Sequence, residues 1–351
     1  MLTTAAFGRQ WLRNAVTQNL RGWSESGTVE GSGPLLLVFP GPSLEATLQD
    51  PETGRILKHS ANRMLAASSA LSPLAAREMS PAFVIATDGG SFALLHFRTL
   101  LRQVGGRPPT RVLAPASARI PREVPSVCLQ AFRQGEVPDR FAPLNAPSIP
   151  PGGTVAASAI RAAEALGFAP LVLCGLDLSV RDGREHARPH AFDRYRKLGF
   201  RKSPAEHREF ARLADRGIPA GPGLQAGPEM RSYRNYLSQW LKQAQAPVYR
   251  LGPCGVPGVP EVPEQVIREV QRLGQNSAKV QAEEVAADAR HTARHSGLPL
   301  HSVRRHTAQL LRELVEDAMA GHLSVAEEDF LAAAADFPAW RDAGADAERI
   351  R

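Results

Sequence analysis

PGGTVAASAIRAAEALGFAPLVLCGLDLSVRDGREHARPH, residues 151–190, decides the fold. Gly152 and Gly153 make a flexible turn. The spacing of Val155, Ala156, Ala159, Ile160, Ala163 and Leu166 predicts a helix over about 154–166, stopped by Gly167. Leu171 to Cys174 is a short, wholly apolar run and reads as a buried parallel strand. At its carboxyl end the composition switches to Gly175, Asp177, Asp182, Glu185, His186 and His190. Open α/β sheets bind ligands beyond the carboxyl ends of their strands. Glycine-led N–H groups at a helix start, facing an acidic and histidine-rich strand end, suit an anion and proton chemistry.

Working outward, the same pattern recurs. Leu35 to Phe39 reads as a buried strand, followed by the tight turn Gly41-Pro42-Ser43-Leu44. That turn is neither GxGxxG nor GxxxxGK[ST], so neither common nucleotide fingerprint applies. A helix is expected over 55–71. Phe83 to Ala86 is another apolar run, ending in Thr87-Asp88-Gly89-Gly90, with a helix expected over 92–103. Strands are expected near 111–114, 127–132 and 247–251. After His190 no strand pattern appears, and GIPAGPGLQAGP reads as a Gly/Pro loop before a helix over 229–245. Strands alternating with helices argue an α/β fold with a doubly wound, mainly parallel sheet. An amphipathic helix is expected over 8–20 and a Ser/Gly-rich linker over 24–33. From Glu264 onward the chain reads as all helical, in segments broken near Gln275, Gly297 and Gly321. Leu310, Leu311, Leu314, Val315 and Met319 carry bundle-like spacing. We divide the chain into 1–30 (helix and linker), 31–261 (α/β domain) and 262–351 (helical bundle).

Composition narrows the function. A 43% hydrophobic fraction in 351 residues supports a sizeable core. No apolar run approaches the ~20 residues of a membrane span. The N-terminus carries no apolar signal core, so a cytoplasmic location is expected. Cys128, Cys174 and Cys254 lie far apart with no CxxC pair, which argues against a zinc site. The net charge of +7 is uneven. Residues 262–351 hold 11 Lys/Arg against 15 Asp/Glu, and residues 1–261 hold 31 against 20. The basic N-terminal part suits an anionic small ligand. Nucleic acid is disfavoured, because no basic run is interleaved with aromatics.

Several pieces, in order, resemble the motility accessory factor (Maf) family of flagellin glycosyltransferases. That family lies within the wider 6-hydroxymethylpterin diphosphokinase (MptE-like, DUF115) group. The pieces are GRQWLRNAVTQNL, the FPGPSLE loop, VIATDGG, and GGTVAASAIRAAEALGFAPLVLCGLDLSV with its following His186, together spanning about 8–190. PVYRLGP extends the likeness to about 253. The strand end departs from the family's more usual GQDL. The GPSL loop and GLD strand end also resemble bacterial sialyltransferases that use CMP-activated sugars.

The resemblance implies a Rossmann-like domain that transfers a nonulosonic acid of the pseudaminic, legionaminic or sialic type. The donor is a CMP-sugar, with no tightly bound cofactor and no metal, and the acceptor is Ser/Thr of flagellin. It further implies that Gly41, Pro42 and Ser43 cradle the donor phosphate or ribose. Asp88 then meets ribose or cytosine, and Gly152, Gly153 and Thr154 contact the phosphate. Asp177 orients the site, and His186 acts as general base, with a histidine's ordinary pKa near ~6.5 suited to the task. Two alternatives remain at this stage. One is pyrophosphoryl transfer from ATP to a hydroxymethyl pterin, with Mg²⁺ on carboxylates such as Asp88 and Asp177. The other is a non-catalytic flagellin-binding protein.

Overall fold

The computed structural model describes residues 2–24, 31–102, 110–193, 195, 207, 218–221, 224–275 and 300–320. At its centre is a seven-stranded sheet. The strands are β1 (Leu35–Val38), β2 (Met64–Ala67), β3 (Phe83–Ile85), β4 (Arg111–Pro115), β5 (Leu129–Phe132), β6 (Leu171–Cys174) and β10 (Val248–Arg250). Their order is β10-β6-β1-β2-β3-β4-β5, and every pairing is parallel.

Why the inner strands are apolar throughout follows from their two covered faces. Alternate residues point to opposite sides of a strand. Leu35, Leu37, Leu171 and Leu173 pack on one face with Ile160 and Ala163 of the helix Val155–Ala165. Leu36, Val38, Val172 and Cys174 pack on the other face with Leu44, Leu57 and Val270. Each fully buried Leu or Val contributes roughly 1.5–3 kcal/mol. The second face is covered by the helices Ser43–Gln49 and Pro51–His59 and by the helix over 264–275. Asp50 caps Pro51–His59 through Thr53 N–H, and Thr154 caps Val155–Ala165 through Ala156 N–H.

The chain winds outward from β1 to β5, then returns through Val155–Ala165 to lay β6 on the other side of β1. The strand order therefore reverses between β1 and β6. In doubly wound sheets this is where ligands bind, at the carboxyl ends.

Three expectations need correction. Met64–Ala67, read within a helix over 55–71, is the central strand β2, ladder-paired with both β1 and β3. The stretch after His190, read as strand-free, supplies β8 (Ile218–Gly221) and β9 (Leu224–Ala226), which form a small antiparallel sheet with β7 (Val180–Arg181) in the order β7-β9-β8. It lies outside the parallel sheet. The helix expected over 92–103 divides into a 3-10 turn, Ser91–Leu95, and Arg98–Arg102.

The N-terminal helix is longer than expected, at Leu2–Arg21, and it buries Leu12, Ala15 and Val16. It also meets the helix Leu300–Met319, where Asn19 Nδ2 donates to Thr307 Oγ1 at 2.9 Å. Past residue 261 the described residues form helices only. The remaining helical segments expected there lie outside the described residues. No helix among the described residues is long and apolar enough to cross a membrane.

Candidate functional site

The switch point is stitched shut by backbone. Phe39 N–H donates to Cys174 O at 2.9 Å and Gly41 N–H to Gly175 O at 2.8 Å, continuing the β1–β6 ladder beyond both strands. Gly175 takes a left-handed φ of +70°, and a Cβ there would run into Phe39 O. Only glycine suits both demands.

Asp177 follows on the β6 side, 4% exposed. Its Oδ2 accepts the Ser43 N–H at 2.8 Å. A Cβ on Gly41 would overlap that same carboxylate and Gly175 O. The Gly41-Pro42-Ser43 turn, expected to cradle the donor phosphate or ribose, is thus moulded on Asp177, and its Ser43 N–H points at this carboxylate. Burial raises the Asp177 pKa above the ordinary carboxylate value, opposed by the Ser43 hydrogen bond and the Arg181 charge.

The segment carrying His186 is folded back over this turn. Asp182 and Gly183 have φ of +49° and +69° and form a reversal closed by Arg181 N–H to Arg184 O at 2.9 Å. Arg184 pairs with Glu45 at 3.1 Å, and Arg188 N–H donates to the same carboxylate at 3.3 Å. Between those tethers, Ala187 N–H donates to Pro40 O at 2.7 Å. His186 is thereby held beside the β1 turn.

Its ring stacks on His190, with centroids 4.3 Å apart and planes 23° from parallel. His190 in turn meets His96 edge-on at 5.4 Å, and both lie near Phe192. His96 is 6% exposed and sits just beyond the turn that follows β3. Its pKa is lowered to about 4, first by burial and then by the neighbouring His186 charge, with Asp88 opposing. Asp88 itself is exposed, and its Oδ1 accepts Gly90 N–H at 2.7 Å. His96 thus lies within electrostatic reach of both Asp88 and His186, which stand on separate strand ends. Nothing in the sequence singled out His96, a lone histidine inside the apolar run FALLHF.

Gly152, Gly153 and Thr154 stand at the start of Val155–Ala165, with Gly153 at φ +71°. The helix Pro228–Leu241 overlies them. A Cβ on Gly152 would meet Ala157 and lie 3.1 Å from the Tyr236 ring; one on Gly153 would lie 3.7 Å from Tyr233. Arg161 holds this arrangement by donating to Tyr236 Oη at 2.5 Å, with its guanidinium over the rings of Tyr236 and Trp240. Arg234 Nη2 reaches Leu178 O at 3.5 Å, joining the same helix to the Asp177 loop. Among the described residues, no group of three or more His, Cys, Asp or Glu is placed to hold a metal ion.

No family model matches the sequence, and no curated protein matches it. A solved structure, the MAf glycosyltransferase from Magnetospirillum magneticum AMB-1, superposes with a TM-score of 0.51 at 16% identity. The match covers 97% of this chain and 52% of that one, so this chain spans about half the length of its structural neighbour. What this likeness carries is the architecture: the chain shares its fold with a Maf glycosyltransferase.

Proposed function

We propose that this protein is a glycosyltransferase of the Maf type, moving a nonulosonic acid from a CMP-activated donor to Ser/Thr of flagellin. The observation that supports it is the clustering of His186, His190 and His96 beside the switch-point turn, with Asp88 within electrostatic reach of His96, on a fold shared with a Maf glycosyltransferase. In the proposed step a ring nitrogen of His186 takes the proton from the acceptor hydroxyl. The freed oxygen attacks the anomeric carbon, the bond to the donor phosphate breaks, and CMP leaves. Asp88 and the Gly152-Gly153-Thr154 helix start bind the donor. Asp177 does not meet the phosphate, since two anions in a buried space repel. It holds the Gly41-Pro42-Ser43 turn in shape instead.

The test has two parts. Titration calorimetry should show CMP binding more tightly than AMP or GMP; equal affinity for the three removes the cytosine donor. In a CMP-release assay with flagellin, His186→Ala should lose ~10²–10⁴-fold in turnover at saturating donor while CMP affinity holds. Retention of more than about a tenth of the activity places the base elsewhere.

A further inference from the structure

The N-terminal helix grips the carboxyl edge of the sheet chiefly through Asn14. Asn14 is 1% exposed, on a face of the helix turned away from Leu12 and Val16 and shared with the buried Gln18. Its Nδ2 donates to Gly89 O at 3.0 Å and to Ser117 O at 2.8 Å. Its Oδ1 accepts from Arg119 Nη1 at 3.2 Å. Arg119 N–H closes the ring by donating to Asp88 O at 2.9 Å. The loops after β3 and β4 are thereby tied to each other and to the helix. Trp11 lies against Gly89, where any Cβ would strike its ring, and Gln10 Nε2 donates to Ser91 Oγ at 3.1 Å.

We propose that Asn14 is a positioning residue for the Asp88 loop, which makes the N-terminal helix a wall of the candidate site. Packing alone does not call for a carboxamide here. Leu12, Ala15 and Val16 already bury an apolar stripe, and a buried amide is costly unless bonded. This amide uses both donors and its acceptor on the two loops that frame Asp88. Asp88 is exposed, and its carboxylate is engaged by Gly90 N–H within its own turn. The effect on donor binding rests on the proposed function; the tether does not.

The experiment is amide hydrogen exchange on the full chain, with Val16→Ala as a packing control on the same helix. Asn14→Ala should speed exchange of the Gly90 and Arg119 amides at least about tenfold, beyond any change in Val16→Ala. Asn14→Asp keeps the shape and the Arg119 bond but, ionised, loses both donors, and should act likewise. In the wild type, needing no variant, the Arg119 amide should open in the same step as the amides around Asn14 when denaturant is raised. Equal exchange in Asn14→Ala and Val16→Ala, or Arg119 opening ahead of the helix, overturns the proposal. CMP affinity, read on the same samples, should fall at least about tenfold in Asn14→Ala with turnover at saturating donor within about twofold. Faster exchange with unchanged CMP affinity upholds the tether and counts against Asp88 as a donor ligand. If the wild type binds no CMP, the proposed function fails and exchange alone decides the tether.

Discussion

Asp177 Oδ2 and Ser43 N lie 2.8 Å apart across the point where the strand order reverses. One carboxylate from the end of β6 thus sets the turn at the end of β1. The bond is between a buried acid and a backbone donor, so it depends on the protonation of Asp177 and on the absence of a side chain at Gly41.

The first consequence is a pH dependence. Burial raises the Asp177 pKa, so the folded chain holds this proton more tightly than the unfolded one. The group's contribution is then full below the ordinary carboxylate value and declines as pH rises through the raised one. Asp177→Asn stays neutral and lacks that decline. Relative to wild type, the variant should gain stability as pH rises above the ordinary carboxylate range. Denaturant melts of both proteins over that rise in pH check it; parallel curves refute it.

Gly41→Ala should destabilise by about 1–3 kcal/mol, because its methyl overlaps the Asp177 carboxylate and Gly175 O, which is backbone. The double variant Gly41→Ala with Asp177→Ala should recover part of the loss, since one of the two obstacles is gone. A fully additive cycle would show that the two residues do not meet.

His96 titrates in the opposite sense. Its pKa near 4 means that the folded chain keeps the ring neutral where the unfolded chain, near ~6.5, already takes up a proton. Stability should therefore fall as pH drops from about 6.5 to about 4, by on the order of 3 kcal/mol. His96→Phe should flatten most of that acid limb. In the wild type the His96 ring signals should not titrate above about pH 5.5, as followed by NMR.

Arg161→Lys should weaken the seat of the helix Pro228–Leu241. Lysine keeps the charge but loses the planar stack on Tyr236 and Trp240. A cost of about 1–2 kcal/mol is expected, with faster exchange confined to that helix and to Gly152–Thr154.

Much of the sheet was legible, because buried parallel strands are apolar on both faces and stand out as short runs between turns. β2 was not. Met64, Leu65, Ala66 and Ala67 are all good helix formers, and they fall within helical spacing of Arg55 to Leu71. Only the ladders from β1 and β3 make them a strand, a case of tertiary pairing outweighing local preference. β8 and β9 hid behind Pro219 and Gly221, residues that rarely build a strand.

At the site, Gly41, Ser43 and Asp177 were legible as strand-end residues, and the reversal in strand order brings them together. His96 and Asn14 were not. A histidine in an apolar run and an asparagine in an amphipathic helix look ordinary until the neighbouring loops are placed.

The place of β1 between β2 and β6 bears on how the chain comes off the ribosome. Leu35–Val38 is made early, yet its second neighbour, Leu171–Cys174, follows more than a hundred residues later. Until then one edge of an all-apolar strand stands open, ready to pair with another chain. A nascent or truncated chain that stops before residue 171 should therefore aggregate; one that ends between 175 and 247 moves the open edge to Leu171–Cys174, and only one that reaches past 250 pairs both apolar strands on both sides. Rescue of the shorter chain by a chaperone that shields apolar strands would show that this waiting edge is the hazard.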